Sequence, residues 1–525
     1  MRKLCLLAFL SASFLQAQAA KPVVLMGNLG NATHPIATAN TEAQKFFDQG
    51  LTLLWGFNRF EALRSFRRAS ELDPKSVMPV WGIAMALSPH INMDLDGDVN
   101  LKEACAALEK VSPMLAGAPI QDGAYIETVF ARCKDEGAYI AAARALASRY
   151  PDDLDAATLY AESLMIPVRW KWWESGRPAA GVEEAIRTLE AVLRRDPNHI
   201  GANHFYIHAV EASPDPERGI PSAQRLMGLV PGAGHLVHMP GHIWLRTGNY
   251  ALAARVNDRA ADVDRDYFAK TGVTTSAYAG YYIHNLHFIV YGRQMEGRFA
   301  DALAAARSIS TDIAPMVAQM PAMVDPFVPM PLFVLVRFNK WNEVLAEPTP
   351  GEKTIAARAV SHWARALAYR AKADSAAAAK EAAEFEDIRK TVPRNAQWAN
   401  NTAADVLAIA SEVLAARLAA DPSAAVPHWQ KAVQLQDALI YDEPPPWYYP
   451  IRESLGAELY RDGRFAEAEQ VFREGLEQTP RDGRILFGLM ETLKMQNKTS
   501  AADSVRRELE TAWKTADSTL SIAGL

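Results

Sequence analysis

The chain has 525 residues, with 55 basic against 61 acidic side chains and a formal charge of −6. Hydrophobic residues make up 49% and charged residues 22%, which excludes both a disordered chain and a membrane bundle. No long basic run occurs, so the electrostatic footprint of a nucleic-acid binder is missing, and we expect neither a nucleic-acid partner nor a membrane span.

The first residues read as a secretory signal over 1–19. Arg2 and Lys3 precede the short apolar stretch Leu4 to Leu15, and Ala17-Gln18-Ala19 is a small-residue cleavage site. The expected location is therefore periplasmic or secreted, with residues 20–42 as an N-terminal extension. Cys5 would leave with the signal, and it stands too early for a lipoprotein cleavage box. Cys105 and Cys133 would remain on consecutive helical segments. An oxidising compartment could join them across a hairpin, and two separate buried thiols are the alternative. Two cysteines cannot build a thiolate metal site, so any metal needs His, Glu or Asp.

Strand signals are scarce, and Ala-rich stretches with apolar residues at three- and four-residue spacing dominate. From Ala43 to Pro74, the residues Phe46, Gly50, Leu53, Ala62, Phe66, Ala69 and Pro74 fall at positions 4, 8, 11, 20, 24, 27 and 32 of a 34-residue frame. Gly456, Gly463, Phe465, Ala468, Phe472, Gly475 and Pro480 repeat it at 8, 15, 17, 20, 24, 27 and 32. Gly248-Asn249-Tyr250, Gly297-Arg298-Phe299 and the degenerate Asn339-Lys340-Trp341 mark further turns. This pattern resembles the tetratricopeptide repeat. The resemblance implies an all-α, right-handed helical-hairpin solenoid whose small residues let paired helices approach closely. Pro-rich stretches at Pro321 to Pro331 and Pro444 to Pro450 break helices. We expect two lobes, residues 43–320 and 321–525, with a joint near 315–330.

Two insertions interrupt the frame early. Asp94-Leu95-Asp96-Gly97-Asp98 lacks the later glutamate of a calcium-binding hand and reads as a solvated loop. The tryptophans at 170, 172 and 173 read as a packing lid.

Eight of the twelve histidines lie between His199 and His287, where a uniform spread would put about two. His204, His208 and Glu211 stand at i, i+4 and i+7; His235, His238 and His242 at i, i+3 and i+7; His284 and His287 are three apart, with Tyr291 one turn further. In the repeat frame these residues take positions 2, 5, 9 and 12 of first helices in three consecutive units. The resemblance implies that such positions line the concave groove, so all of them would converge there. Pro240-Gly241 interrupts the middle segment and would rotate His242 off the His235/His238 face.

Neutral imidazole with carboxylate suits Zn, Fe, Cu, Mn or Ni. The metal-ligand candidates are His204, His208, Glu211, His235, His238, His242, His284 and His287, with Tyr291 as a ligand-binding neighbour. One metal with substrate-binding histidines, or two metals, would both fit. His235 to His242 lacks the glutamate of a zinc-protease motif. A second candidate surface is Glu443 to Pro450, where Trp447, Tyr448 and the nearby Arg452 could close over a ligand.

The stretches Asn203 to His208, His235 to Pro240 and Tyr282 to His287 are similar to a recurrent type of bacterial exported tetratricopeptide-repeat protein. That resemblance implies no particular activity. Two readings remain: an exported metal-binding solenoid with a His/Glu centre, and a periplasmic scaffold whose metal-free groove holds a peptide or protein partner.

Overall fold

A computed structural model describes residues 21–92, 100–274, 276 and 278–525 of the chain. The signal expected over 1–19 and the Asp94–Asp98 loop lie outside the described residues. From Thr41 to Ala512 the chain runs as successive antiparallel helix pairs. The only strands among the described residues are two short hairpins, Trp173–Glu174 with Arg177–Pro178 and Gln397–Trp398 with Asn401–Thr402. The fold is a tetratricopeptide-like helical solenoid. Among the described residues no helix is long and apolar enough to cross a membrane.

The 34-residue frame has a direct steric basis. Phe66, on the helix Arg59–Leu72, is wedged between Gly50 and Gly82 of the flanking first helices. A Cβ at those glycines would lie 2.7 and 2.3 Å from the Phe66 ring. At the other end of the chain Phe472 sits between Gly456 and Gly488, where the same distances are 2.5 and 2.3 Å. Each ring is fully buried, which contributes about 1.5–3 kcal/mol. Between paired helices the chain turns through a left-handed residue: Gly248, Gly297 and Gly463 at φ 75°, 74° and 76°, but Phe57 at φ 55°. Asn58 and Asn249 follow such residues and cap the next helix, accepting from the Glu61 and Leu252 amides.

Among the described residues two large hydrophobic cores, with a small third cluster of Tyr267, Val273 and Tyr278, make up the interior. The first runs from Leu29 to Val256 and takes in Phe288, Tyr291 and Met295; the second runs from Ala261 to Leu525. The cores therefore meet within the pair Tyr250–Thr271 and Ala279–Met295, ahead of the joint expected near 315–330. Pro315 is accommodated inside the helix Phe299–Val317. The C-terminal units fold back onto the middle of the chain. Tyr250 Oη donates to Pro480 O at 3.0 Å, and Asp517 accepts from the Phe299 and Ala300 amides at 2.6 and 3.0 Å. This return path brings residues near 440 against helices near 240. Cys105 and Cys133 form a disulfide, with Cα atoms 5.9 Å apart.

Candidate metal centre

Three consecutive first-helix segments build the site. The helix Ile200–Glu211 is buried along its whole length and packs against the Trp55–Phe57 turn. The next segment breaks at Met239 into Gly234–His238 and Pro240–Arg246. The break leaves His242 in register with its neighbours, contrary to the rotation expected from Pro240-Gly241. Two glycines allow the partner helix Tyr250–Thr271 to come close. A Cβ at Gly234 would lie 1.9 Å from Asp264 Oδ1, and one at Gly241 would lie 2.5 Å from Asn257 Nδ2. The third segment, Ala279–Met295, supplies His284.

Six imidazoles converge. Ring centroids are 4.9 Å apart for His204–His208, 5.0 Å for His204–His235, 5.4 Å for His235–His238, 4.7 Å for His238–His242 and 4.8 Å for His238–His284. His204, His208, His235, His238 and His242 are buried, and His284 is half-buried. Two sets of three, His204/His208/His235 and His238/His242/His284, each hold donor atoms within 4.8 Å of one another. Glu211, His242 and Glu443 form a third set.

The outer partners fix which nitrogen faces inward. His204 Nδ1 donates to the carbonyl of Trp55, so its Nε2 carries a lone pair. His208 Nδ1 donates to Glu211 Oε1 at 3.0 Å, and its Nε2 is buried with no hydrogen-bond partner. Asn257 Nδ2 donates to Ala253 O, which leaves Oδ1 to accept from His238 Nδ1 at 2.6 Å. His242 Nδ1 lies 2.6 Å from Glu211 Oε2 and 3.0 Å from Glu443 Oε2. The inward nitrogens then crowd together. His238 Nε2 and His242 Nε2 are 2.8 Å apart, and His204 Nε2 and His235 Nε2 are 3.2 Å apart.

Burial holds His204, His235, His238 and His284 well below the usual imidazole range, and His208 below it, so these rings are neutral. His242 is the exception. Burial works against its charge, but Glu211 and Glu443 outweigh that and push it up to about 10. Burial would raise Glu211, yet His242 and His208 pull it down to about 2. Burial raises Glu443, whose Oε1 accepts from Tyr441 Oη. Without a metal, a proton on His242 therefore occupies the gap between nitrogens that would otherwise present two lone pairs to each other.

Of the expected ligands, His287 stands apart. Its ring packs on Phe327 at 5.8 Å, and burial alone lowers it to about 4. Tyr291 is buried in the first core. Trp447 is corrected from a ligand-closing surface to the second core, whereas Tyr448 is mostly buried there but lines a cavity of the second lobe. Trp447 is fully buried against Trp363, and Tyr448 stacks on Phe333 at 4.6 Å. Arg452 is engaged in a two-pronged pair with Asp437 at 2.7 Å, so it offers no free fork. The same segment does reach the site, through Glu443 at its head. Glu443, Phe57 and His90 were not legible as site residues. Phe57 lies over the first triad, 4.5 Å from His204 and 5.2 Å from His235, with His90 behind it at 4.7 Å. Trp172 covers His208 from the other side at 5.8 Å.

No family model matches the chain. An uncharacterized protein of Aquifex aeolicus (strain VF5) is 44% identical over 61 residues. That match spans 11% of this chain and 8% of the relative's length. Among solved structures, a human IFIT1 dimer with PPP-AAAA is 14% identical, with 88% of this chain and 89% of that chain covered at a TM-score of 0.32. Yeast Tom70 is 12% identical, with 89% and 90% covered at a TM-score of 0.30. The assignment to a tetratricopeptide-like solenoid rests on the helix pairing and the Phe-between-glycines packing of this chain.

Proposed function

We propose that this protein is an exported helical solenoid that holds a transition metal (Zn, Fe, Cu, Mn or Ni) in its concave His/Glu cluster. The observation that carries the reading is the tautomer pattern. Trp55 O, Glu211 and Asn257 Oδ1 each take the Nδ1 hydrogen of a histidine, and this turns the Nε2 lone pairs inward. Metal-ligating histidines are held in the same way, by a carbonyl or carboxylate on the far nitrogen. His34, His362 and His428 also meet a carboxylate at Nδ1; what sets the cluster apart is that its far nitrogens face one another. The donor set is nitrogen-rich and thiolate-free, which suits borderline divalent ions. An open coordination position would supply an activated water or a redox centre, so hydrolytic and oxidative activities are the ones to screen.

Elemental analysis of the untagged protein, purified without chelators from its exported fraction, tests the reading. A transition metal that is lost from the His208→Ala/His238→Ala double variant supports it. A metal-free protein that stays metal-free after reconstitution overturns it.

A second reading has its own support. In the second lobe a cavity of about 470 Å³ is lined by Arg370, Arg417 and Arg461 beside Asp421 and Glu458, with Tyr448 and Tyr449; Arg337 and Arg484, also in its wall, are held by Glu453. The three guanidinium groups not held by Glu453 would meet an acidic peptide of a partner protein. Partner capture that fails when Arg370 and Arg461 are replaced, with the metal content unchanged, would favour the scaffold role.

A further inference from the structure

We propose that the cluster is two separate three-imidazole metal sites, His204/His208/His235 and His238/His242/His284, and that Glu211 is no ligand but the carboxylate standing behind both. The inference rests on the metal reading above and adds the number of ions, their division and the role of the acidic residue.

The geometry argues for the division in two ways. First, the imidazole donors group as two sets of three, each within 4.8 Å, while the overlapping set Glu211/His242/Glu443 gathers about His242 Nδ1, on the other nitrogen of that ring from the one facing His238. Second, both oxygens of Glu211 are committed, and to different sets. Oε1 faces His208 Nδ1 at 3.0 Å, and Oε2 faces His242 Nδ1 at 2.6 Å. One carboxylate thus meets the far nitrogen of one ring from each set, by a hydrogen bond to His208 and an ion-pair contact to His242, and stands behind His208 Nε2 in the first site and His242 Nε2 in the second. The two sets adjoin, with the His235 and His238 rings 5.4 Å apart and the His208 and His242 rings 5.6 Å apart, so two ions held there would be near neighbours.

The surroundings make the two sites unequal. The first is dry: Phe57 lies over it, and His208, His204 and His235 are fully buried. The second includes half-buried His284. Three imidazoles with no thiolate leave a fourth tetrahedral position at each ion for water or a substrate atom, an arrangement suited to Zn²⁺ and to its spectroscopic stand-in Co²⁺. The second site is therefore the one through which a ligand would enter.

Glu443 completes the back of the second site from the far lobe. It reaches His242 Nδ1 at 3.0 Å and is itself held by Tyr441 Oη. Metal capture at this site thus ties the first core to the segment that leads into the second.

The test is a titration of chelator-stripped, full-length protein with Co²⁺ alone. Bound equivalents and the visible d–d absorption are read together, and far-ultraviolet circular dichroism confirms the helical content of each variant. The wild-type protein is expected to take two equivalents. His204→Ala should take one, and His284→Ala, at the half-buried position, should also take one. Glu211→Gln should keep both equivalents, bound about 10–100-fold more weakly. A single equivalent in the wild-type protein overturns the two-site inference while leaving the metal reading intact, and this count needs no variant to fold. Outright loss of an equivalent in Glu211→Gln makes Glu211 a ligand and also overturns it. No bound Co²⁺ at all overturns the metal reading itself.

Discussion

Two of the buried polar clusters among the described residues are built on opposite principles. In the second lobe Glu453 receives both arms of Arg337, at 2.6 and 2.7 Å, and Arg484 Nε at 3.0 Å. Donors meet acceptors there. In the first lobe nitrogens meet nitrogens, at 2.8 Å between His238 Nε2 and His242 Nε2 and at 3.2 Å between His204 Nε2 and His235 Nε2. Without a metal each gap is bridged by one proton, from doubly protonated His242 in the first and from His235, whose Nδ1 has no partner, in the second; a metal ion would replace those protons. A closed polar network is a structural device, whereas an inward-facing set of acceptors is a binding device.

The contrast breaks most visibly at Glu453. Glu453→Ala strands two buried guanidinium groups and should cost about 3–5 kcal/mol in denaturant unfolding. Metal content should not change. Removing the metal with a chelator should destabilise the wild-type protein by about 2.7 kcal/mol if the free ion stood at 100 times its dissociation constant. The thermal midpoint should fall accordingly, and the same chelator should leave the midpoint of His208→Ala/His238→Ala unmoved.

Asn257→Ala frees His238 Nδ1 and should weaken metal binding about 10–100-fold, read by competition with a chromophoric chelator. Loading should also release a proton, because the ion displaces the one held by His242. Since Glu211 and Glu443 keep that proton on up to about pH 10, apparent affinity should rise by about tenfold per pH unit from 7 towards that value, and release can be followed by pH-stat.

The smallest effect belongs to a third, closed cluster. Asp155 sits between His34 at 2.7 Å and His199 at 3.1 Å. Burial opposes the charge on His34, but Asp155 outweighs it and raises the imidazole above 6.5. That contribution is complete below pH 6.5 and is lost as pH rises through the raised value. Burial likewise opposes the charge on Asp155, but the two histidines hold it well below the usual carboxylate range. Its contribution is present above about pH 4 and lost in stronger acid. Thermal midpoints of wild type and Asp155→Asn should therefore differ most between about pH 4 and 6.5.

Much of this was legible in the sequence. The packing of Phe66 and Phe472 between glycines follows from the 34-residue frame; helical spacing put each histidine group on one face of its own helix, and the repeat resemblance implied that those faces meet, as they do for His204, His208, His235, His238, His242 and His284. Spacing failed where curvature takes over. His287 and Tyr291 continue the His284 face in sequence, but the groove turns away and they pack on Phe327 and into the core. Glu443 could not be found from spacing, because it arrives only when the solenoid folds back on itself. Trp447 misled for a related reason: beside three prolines it read as a surface aromatic, yet the returning chain buries it against Trp363. Outer partners such as Trp55 O and Asn257 carry no sequence mark at all.

The most direct measurement is X-ray absorption at the metal edge of the protein as purified. The account predicts a first shell of nitrogen at about 2.0–2.1 Å with the outer scattering of several imidazole rings. An edge showing only water-like oxygen neighbours, or no metal edge at all, would contradict it.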